Sequence, residues 1–430
     1  MARKRVVITG LGAVTPIGNN LSSTWKGLCE GRSGIDSITI FNAESFPTKI
    51  AGEVKRFDFS KWLKKDGGFH FLGRNSHFAL ESASEAITGA GLDNSKMIPE
   101  RFGIYFGAGD GGFDFSEYAS VISKSMDRDE VNVHKKSYFE NTVRQMNPKI
   151  LLEQEPNQVV NHLSRVFNAR GVISNCLTAC AASSQAIGEA AEIIRRGEAD
   201  VMMTGGAHSM IHPLGLAGFN LLTALSTRND EPARASRPFD KERDGFVLSE
   251  GAGVVILEEL EHARKRAAKI YAELSGYGST ADAFRLTDPH PEGRGAIKAM
   301  RLAIEDAGVN PENIDYINAH GTSTQANDEI ETRSVKEIFR DHAKQIPMSS
   351  IKSMLGHMIA AAGVVELITC VLTIRDGVIP PTINYENKDE NCDLDYVPNQ
   401  ARKAKIKTVL SNSFGFGGQN VALIVKEFHD

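Results

Sequence analysis

The chain has 430 residues, 41% of them hydrophobic, a length that allows two or three domain-sized units around a large core. Its formal net charge of −5 gives no reason to expect nucleic acid, and no stretch is long and apolar enough to span a membrane. Five cysteines at irregular spacing imply a reducing compartment without a disulfide framework, which points to the cytoplasm.

Arg3-Lys4-Arg5 ahead of Val6-Val7-Ile8 could open a signal peptide, but Thr9, Gly10, Gly12, Pro16 and Gly18 interrupt any apolar segment. The stretch is therefore predicted as a buried first strand. A helical pattern follows near 78–91 and an apolar strand over 101–106. Gly107-Ala108-Gly109-Asp110-Gly111-Gly112 fits a dinucleotide-binding pattern formally, yet no helix pattern opens directly behind it, so a turn is expected.

The run from Val172 to Ser184 leads into a helical pattern in which Ala186, Ile187, Ala190, Ile193 and Ile194 recur at three- and four-residue steps. Arg195 and Arg196 occupy the last turn and Gly197 stops the helix. Cys180 thus opens a helix, where unpaired N–H groups and the macrodipole favour thiolate, although a buried structural cysteine has the same local signature. Cys176 and Cys180 could share a metal with His208 or His212, but no second clustered pair accompanies them and no metal is expected.

Strands are predicted over 200–204 and 253–257, and again over 269–276, 314–319, 346–350 and 408–411. Helices are predicted near 295–307, 328–340 and 358–375. The second half repeats the alternating α/β style of the first, which divides the chain into residues 1–258 and 259–430. His320 ends one strand before a polar turn, and His357 stands between a strand and the helix from Met358, as Cys180 stands before its own. One cysteine and two histidines at such junctions form a candidate catalytic set.

Thr178-Ala179-Cys180, His320-Gly321-Thr322-Ser323-Thr324 with Asn327-Asp328, Lys352-Ser353 with Gly356-His357, and Asn412-Ser413-Phe414-Gly415-Phe416-Gly417-Gly418 together resemble the β-ketoacyl-acyl carrier protein synthases. The nearest type is synthase II of bacterial fatty acid synthesis. The likeness covers nearly the whole chain and is densest from Ala199 to Gly253. It implies a thiolase-like fold of two duplicated α/β halves in a five-layer α-β-α-β-α arrangement.

It also implies a homodimeric acyltransferase that works with an acyl carrier protein and needs no cofactor. By this resemblance Cys180 is the nucleophile, His320 and His357 donate hydrogen bonds to an enolate, and Lys352 supports them, with Glu366 as its buried acidic partner. Thr322 and Thr324 would hydrogen-bond the pantetheine arm. Phe416 would gate the acyl pocket, and its backbone N–H with that of Cys180 would form an oxyanion hole. Asp110 would lie near the acyl pocket, where relatives are apolar.

Several positions depart from the family pattern. Ser183 replaces a glycine, Gln419 a threonine and His208 an acidic residue, while the segment 113–171 matches poorly. These departures leave room for a ketosynthase of a specialised lipid or polyketide pathway. A degradative thiolase would carry a second catalytic cysteine late in the chain, and no cysteine follows Cys392. A non-elongating partner subunit would lack the nucleophile.

Overall fold

Ten strands form one mixed sheet in the computed structural model, which describes residues 3–63, 69–93, 97–109, 114–127 and 131–429. In chain order they are β1 (Val6–Val14), β2 (Phe102–Ala108), β3 (Ile173–Cys176), β4 (Val201–His208), β5 (Gly251–Glu259), β6 (Ala272–Ala281), β7 (Tyr316–Asn318), β8 (Met348–Ser349), β9 (Thr408–Gly415) and β10 (Gln419–Lys426). The spatial order is β8-β7-β9-β10-β6-β1-β5-β4-β2-β3.

The order contains the same unit twice. In each half the first strand pairs antiparallel with the last, and the last pairs antiparallel with the fourth. The fourth runs parallel to the second, and the second parallel to the third. The halves join through Val7 opposite Glu273 and Ile8 opposite Ala272.

Helix α1 (Arg74–Ala90) covers the outer face of the first half, and α3 (Arg294–Ala307) with α4 (Gln325–Phe339) covers the second. Between the halves lie α2 (Ala182–Arg195) and α5 (Ala362–Asp376), which pack on each other and on strands of both. This is the five-layer α-β-α-β-α arrangement that the resemblance implies. Because α5 is enclosed on every side, Ala362 through Thr373 are all buried and its pattern reads as continuous rather than amphipathic. Ile187, Ala190 and Ile194 of α2 meet Val364, Leu367 and Val371 of α5 in the central core.

The duplication extends to how helices seat on strands. A Cβ added at Gly10 or Gly12 of β1 would meet the α1 carbonyls of Ala86 and Ser82 at 2.2 and 2.0 Å. At Gly276 or Gly278 of β6 it would meet the α3 carbonyls of Ala303 and Ala299 at 2.2 and 2.1 Å. Only glycine admits a helix backbone that close to a strand. The glycines that break up an N-terminal apolar segment in the sequence are thus packing positions.

One expected correspondence is displaced. Ala179 and Ile359 both adopt left-handed φ, 47° and 42°, in short 3₁₀ turns that open α2 and α5, and Gly197 and Gly377 close those helices with φ of 79° and 63°. Both pairs are separated by the same interval, so the counterpart of Cys180 is Ala360. His357 matches Leu177 instead, and it precedes the helix opening rather than forming it. The strain of a non-glycine residue at positive φ is found at both turns, beside the candidate catalytic residues.

Candidate active site

Cys180 lies in the 3₁₀ turn between β3 and α2, and His320 lies two residues beyond β7. His357 lies between the short helix Lys352–Leu355 after β8 and the turn opening α5, and Phe416 follows β9. The topology carries these segments to one place. Cys180, His320, Thr322, Thr324, His357 and Phe416 all line a cavity of about 510 Å³. The Cys180 Sγ and one ring nitrogen from each histidine lie within 4.8 Å of one another.

Hydrogen bonds decide the histidine tautomers. The Ile359 backbone N–H donates to His357 Nδ1 at 3.3 Å, so the ring proton sits on Nε2, which is buried and without a partner among the described residues. Lys352 Nζ lies 3.4 Å from His320 Nδ1 and donates to the His320 carbonyl at 2.7 Å, leaving that ring's proton on Nε2 as well. Lys352 is in turn held by the buried Glu366 carboxylate. The rings stand nearly perpendicular, their centroids 5.5 Å apart.

Burial holds both histidines well below the ordinary imidazole range, and Lys352 adds to this for each. They are neutral N–H donors across the physiological range. Burial also pushes the Cys180 thiol up to about 11, partly opposed by the backbone N–H groups of Phe416 and Cys180 and by Lys352. The thiolate expected from the helix opening is therefore not the resting form. A half-turn of N–H groups does not outweigh removal of the sulfur from water. Those N–H groups do converge on the sulfur, where a developing oxyanion would also lie.

Gly415 makes this convergence possible. A Cβ there would stand 3.0 Å from the Thr178 carbonyl and 3.2 Å from the Cys180 nitrogen. Gly417 and Gly418 then turn the chain with φ of 82° and 75°. The Phe416 loop is tied to the neighbouring wall by Gly417 N–H donating to the Leu286 carbonyl and Asn420 donating to Asp282.

Comparison with known proteins places this site in a family. Residues 3–263 match the family model "Beta-ketoacyl synthase, N-terminal domain", and residues 271–386 match "Beta-ketoacyl synthase, C-terminal domain". The chain belongs to the beta-ketoacyl synthase family. It is 46% identical to 3-oxoacyl-[acyl-carrier-protein] synthase 2 of Coxiella burnetii over 100% of both chains. It is 44% identical to the synthase of that name from Synechocystis, over 100% of this chain and 99% of the relative. Among solved structures, a chain of a complex described as a type II PKS acyl-carrier protein in complex with its ketosynthase bound to the hexaketide has a TM-score of 0.87 and 33% identity. That match covers 99% of this chain and 100% of the other.

The synthase also uses residues to which sequence reasoning assigns no role, Asp328 standing only within the family motif. Glu331 of α4 accepts the backbone N–H groups of His320 and Gly321 at 2.9 and 2.8 Å, and Asn412 donates to it at 3.1 Å. Asp328, one turn earlier, accepts from Thr322 N–H at 3.0 Å and from Phe239 N–H at 2.8 Å. Arg243 is fully buried, donates to the Thr324 and Gln325 carbonyls and pairs with Asp389. The spacing of Asp328 and Glu331, three apart at a helix start behind the His320 turn, was the available signal. Thr322 and Thr324 join hydroxyls at 2.9 Å on the cavity wall.

Asp110 lies outside the described residues. The metal donors that converge are Cys180, His320 and His357, not Cys176 with His208 or His212, and they include no fourth protein ligand within the described residues. Among the described residues no helix is long and apolar enough to cross a membrane. All five cysteines are free.

Proposed function

We propose that this synthase catalyses decarboxylative Claisen condensation in fatty acid chain elongation, joining an acyl group held on Cys180 to malonyl carrier protein, in the cytoplasm and without a cofactor. The observation that carries this reading is one thiol and two neutral histidines, each with its proton on Nε2, brought together so that Sγ and one ring nitrogen of each ring lie within 4.8 Å of one another. In the first half-reaction the Cys180 sulfur bonds to the acyl carbon as the carrier's sulfur leaves, and the thiol proton passes to that departing thiolate. The Phe416 and Cys180 N–H groups stabilise the tetrahedral oxyanion.

In the second, the bond from the malonyl carbon to its carboxylate breaks, carbon dioxide leaves, and the electron pair moves onto the thioester oxygen as an enolate. His320 and His357 donate to that oxygen. The enolate carbon then attacks the acyl carbon, the Cys180 thioester breaks, and the released thiolate takes up a proton, which its raised pKa favours. Thr322 and Thr324 would hold the pantetheine arm. The purified protein, given an acyl carrier and malonyl carrier, should release carbon dioxide and β-ketoacyl carrier together. Carbon dioxide without the new carbon–carbon bond would overturn the elongating assignment.

A homodimer fits the open edge of the sheet. Strand β3 pairs only with β2 among the described residues, and Ile173 at its start and Leu177 just beyond it are 37% and 60% exposed. An unpaired strand edge is normally covered, and a second β3 running antiparallel would cover it with the same residues. Phe139 and Val143, one turn apart on the helix Lys135–Gln145, are also exposed. Sedimentation should give a dimer at micromolar concentration, and Ile173→Lys with Leu177→Glu should shift it to monomer. A monomeric unmodified protein would remove this assignment.

A further inference from the structure

His208 ends β4 with 1% of its surface exposed, and neither ring nitrogen has a hydrogen-bond partner among the described residues. A buried imidazole left unpaired on both sides costs stability that an apolar side chain would not. Its place is defined closely. A Cβ at Gly109 would meet His208 Nδ1 at 2.3 Å and the Ala360 Cβ at 3.0 Å, so the ring fills the crevice between the end of β2 and the turn that opens α5. That turn contributes Ile359 to the apolar cluster around Cys180, and Ile211, just after His208, contributes to the same cluster with Leu225 and Phe246. His208 also lies close enough to His357 for the two rings to interact electrostatically.

An acyl chain on Cys180 needs an apolar wall, and this cluster is the one that packs against the nucleophile. A saturated chain lying along it would give the His208 ring no partner, and the ring has none among the described residues. We infer that His208 is a specificity-determining residue that hydrogen-bonds an oxygen, a hydroxyl or keto group, borne partway along the acyl chain. Burial holds its ring down to about 3, so at neutral pH it offers one donor and one acceptor and selects a neutral oxygen rather than a carboxylate. This inference rests on the ketosynthase reading.

The test is the rate at which Cys180 is acylated, read by intact-protein mass spectrometry. The probes are a saturated medium-chain acyl thioester and a set of equal length bearing one hydroxyl at successive mid-chain carbons. The unmodified protein should load at least one hydroxylated chain about tenfold faster than the saturated chain, as expected when a site's buried polar group is otherwise left unpaired. His208→Leu should reverse the preference, and His208→Gln, which keeps a donor and an acceptor, should retain most of it. Equal loading of all chains by the unmodified protein would mean that water satisfies the ring, and would overturn the inference while leaving the ketosynthase reading intact. No loading of any chain, with no malonyl decarboxylation, would overturn both. Should His208→Leu fail to fold, the unmodified protein's selectivity and the His208→Gln variant still decide the question.

Discussion

Cys180→Ala should abolish acyl transfer, lowering it by a factor on the order of 10⁴ or more, while Cys176→Ala should retain it. The two thiols cannot be told apart by acidity, since burial pushes both up to about 11. They differ in position. Cys180 lines the cavity beneath two N–H donors, whereas the Cys176 sulfur sits against the Ala182 carbonyl at 3.2 Å. Alkylation of Cys180 should therefore be slow at neutral pH and rise about tenfold per pH unit until the thiol's own pKa is approached, because only thiolate reacts. An alkylation rate already level at pH 7 would mean a resting thiolate and a nucleophile activated as the helix opening alone would predict. Retained transfer in Cys180→Ala would remove the covalent mechanism.

That contrast marks what the sequence makes legible. Cys180, His320 and His357 stand out because each falls where a strand gives way to a turn or helix, and the duplicated strands bring those junctions to one end of the sheet. The two halves are readable for the same reason, since strands and helices alternate in both, whereas the pairing order shared by β1 to β5 and β6 to β10 is not, because the strand spacings differ. Burial is not readable in this way. Glu331 and Arg243 look like surface charges in the chain, yet one accepts two backbone N–H groups behind His320 and the other anchors the carbonyls of Thr324 and Gln325. The same blindness led to the expectation of thiolate, because the cost of dehydrating sulfur depends on packing contributed by Ile211, Leu225 and Phe246, distant in sequence from Cys180. Matching Cys180 with His357 failed by a smaller margin. Both precede packed helices, but only the left-handed residues Ala179 and Ile359 set the register between the two halves.

His320→Ala and His357→Ala should each lower malonyl decarboxylation by about a hundred- to a thousandfold, the loss typical of removing one donor from a preorganised oxyanion site. Thr322→Ala should cost far less, since its hydroxyl is paired with Thr324 on the cavity wall and faces no developing charge in this mechanism. A glutamine in place of either histidine keeps an N–H donor and should restore part of the rate, which a purely structural role would not allow. The pH profile supplies an independent check on the charge of the rings. Burial and Lys352 depress both histidines, so protons bind them only well below the ordinary value of 6.5. The decarboxylation rate should stay level from about pH 8 down to about pH 6. Catalysis by imidazolium would instead fall as the pH rises through 6.5, and such a fall would overturn the neutral assignment. The physical reason for neutrality is local: a second positive charge beside Lys352, on rings almost wholly removed from water, would cost more than the stronger hydrogen bond returns.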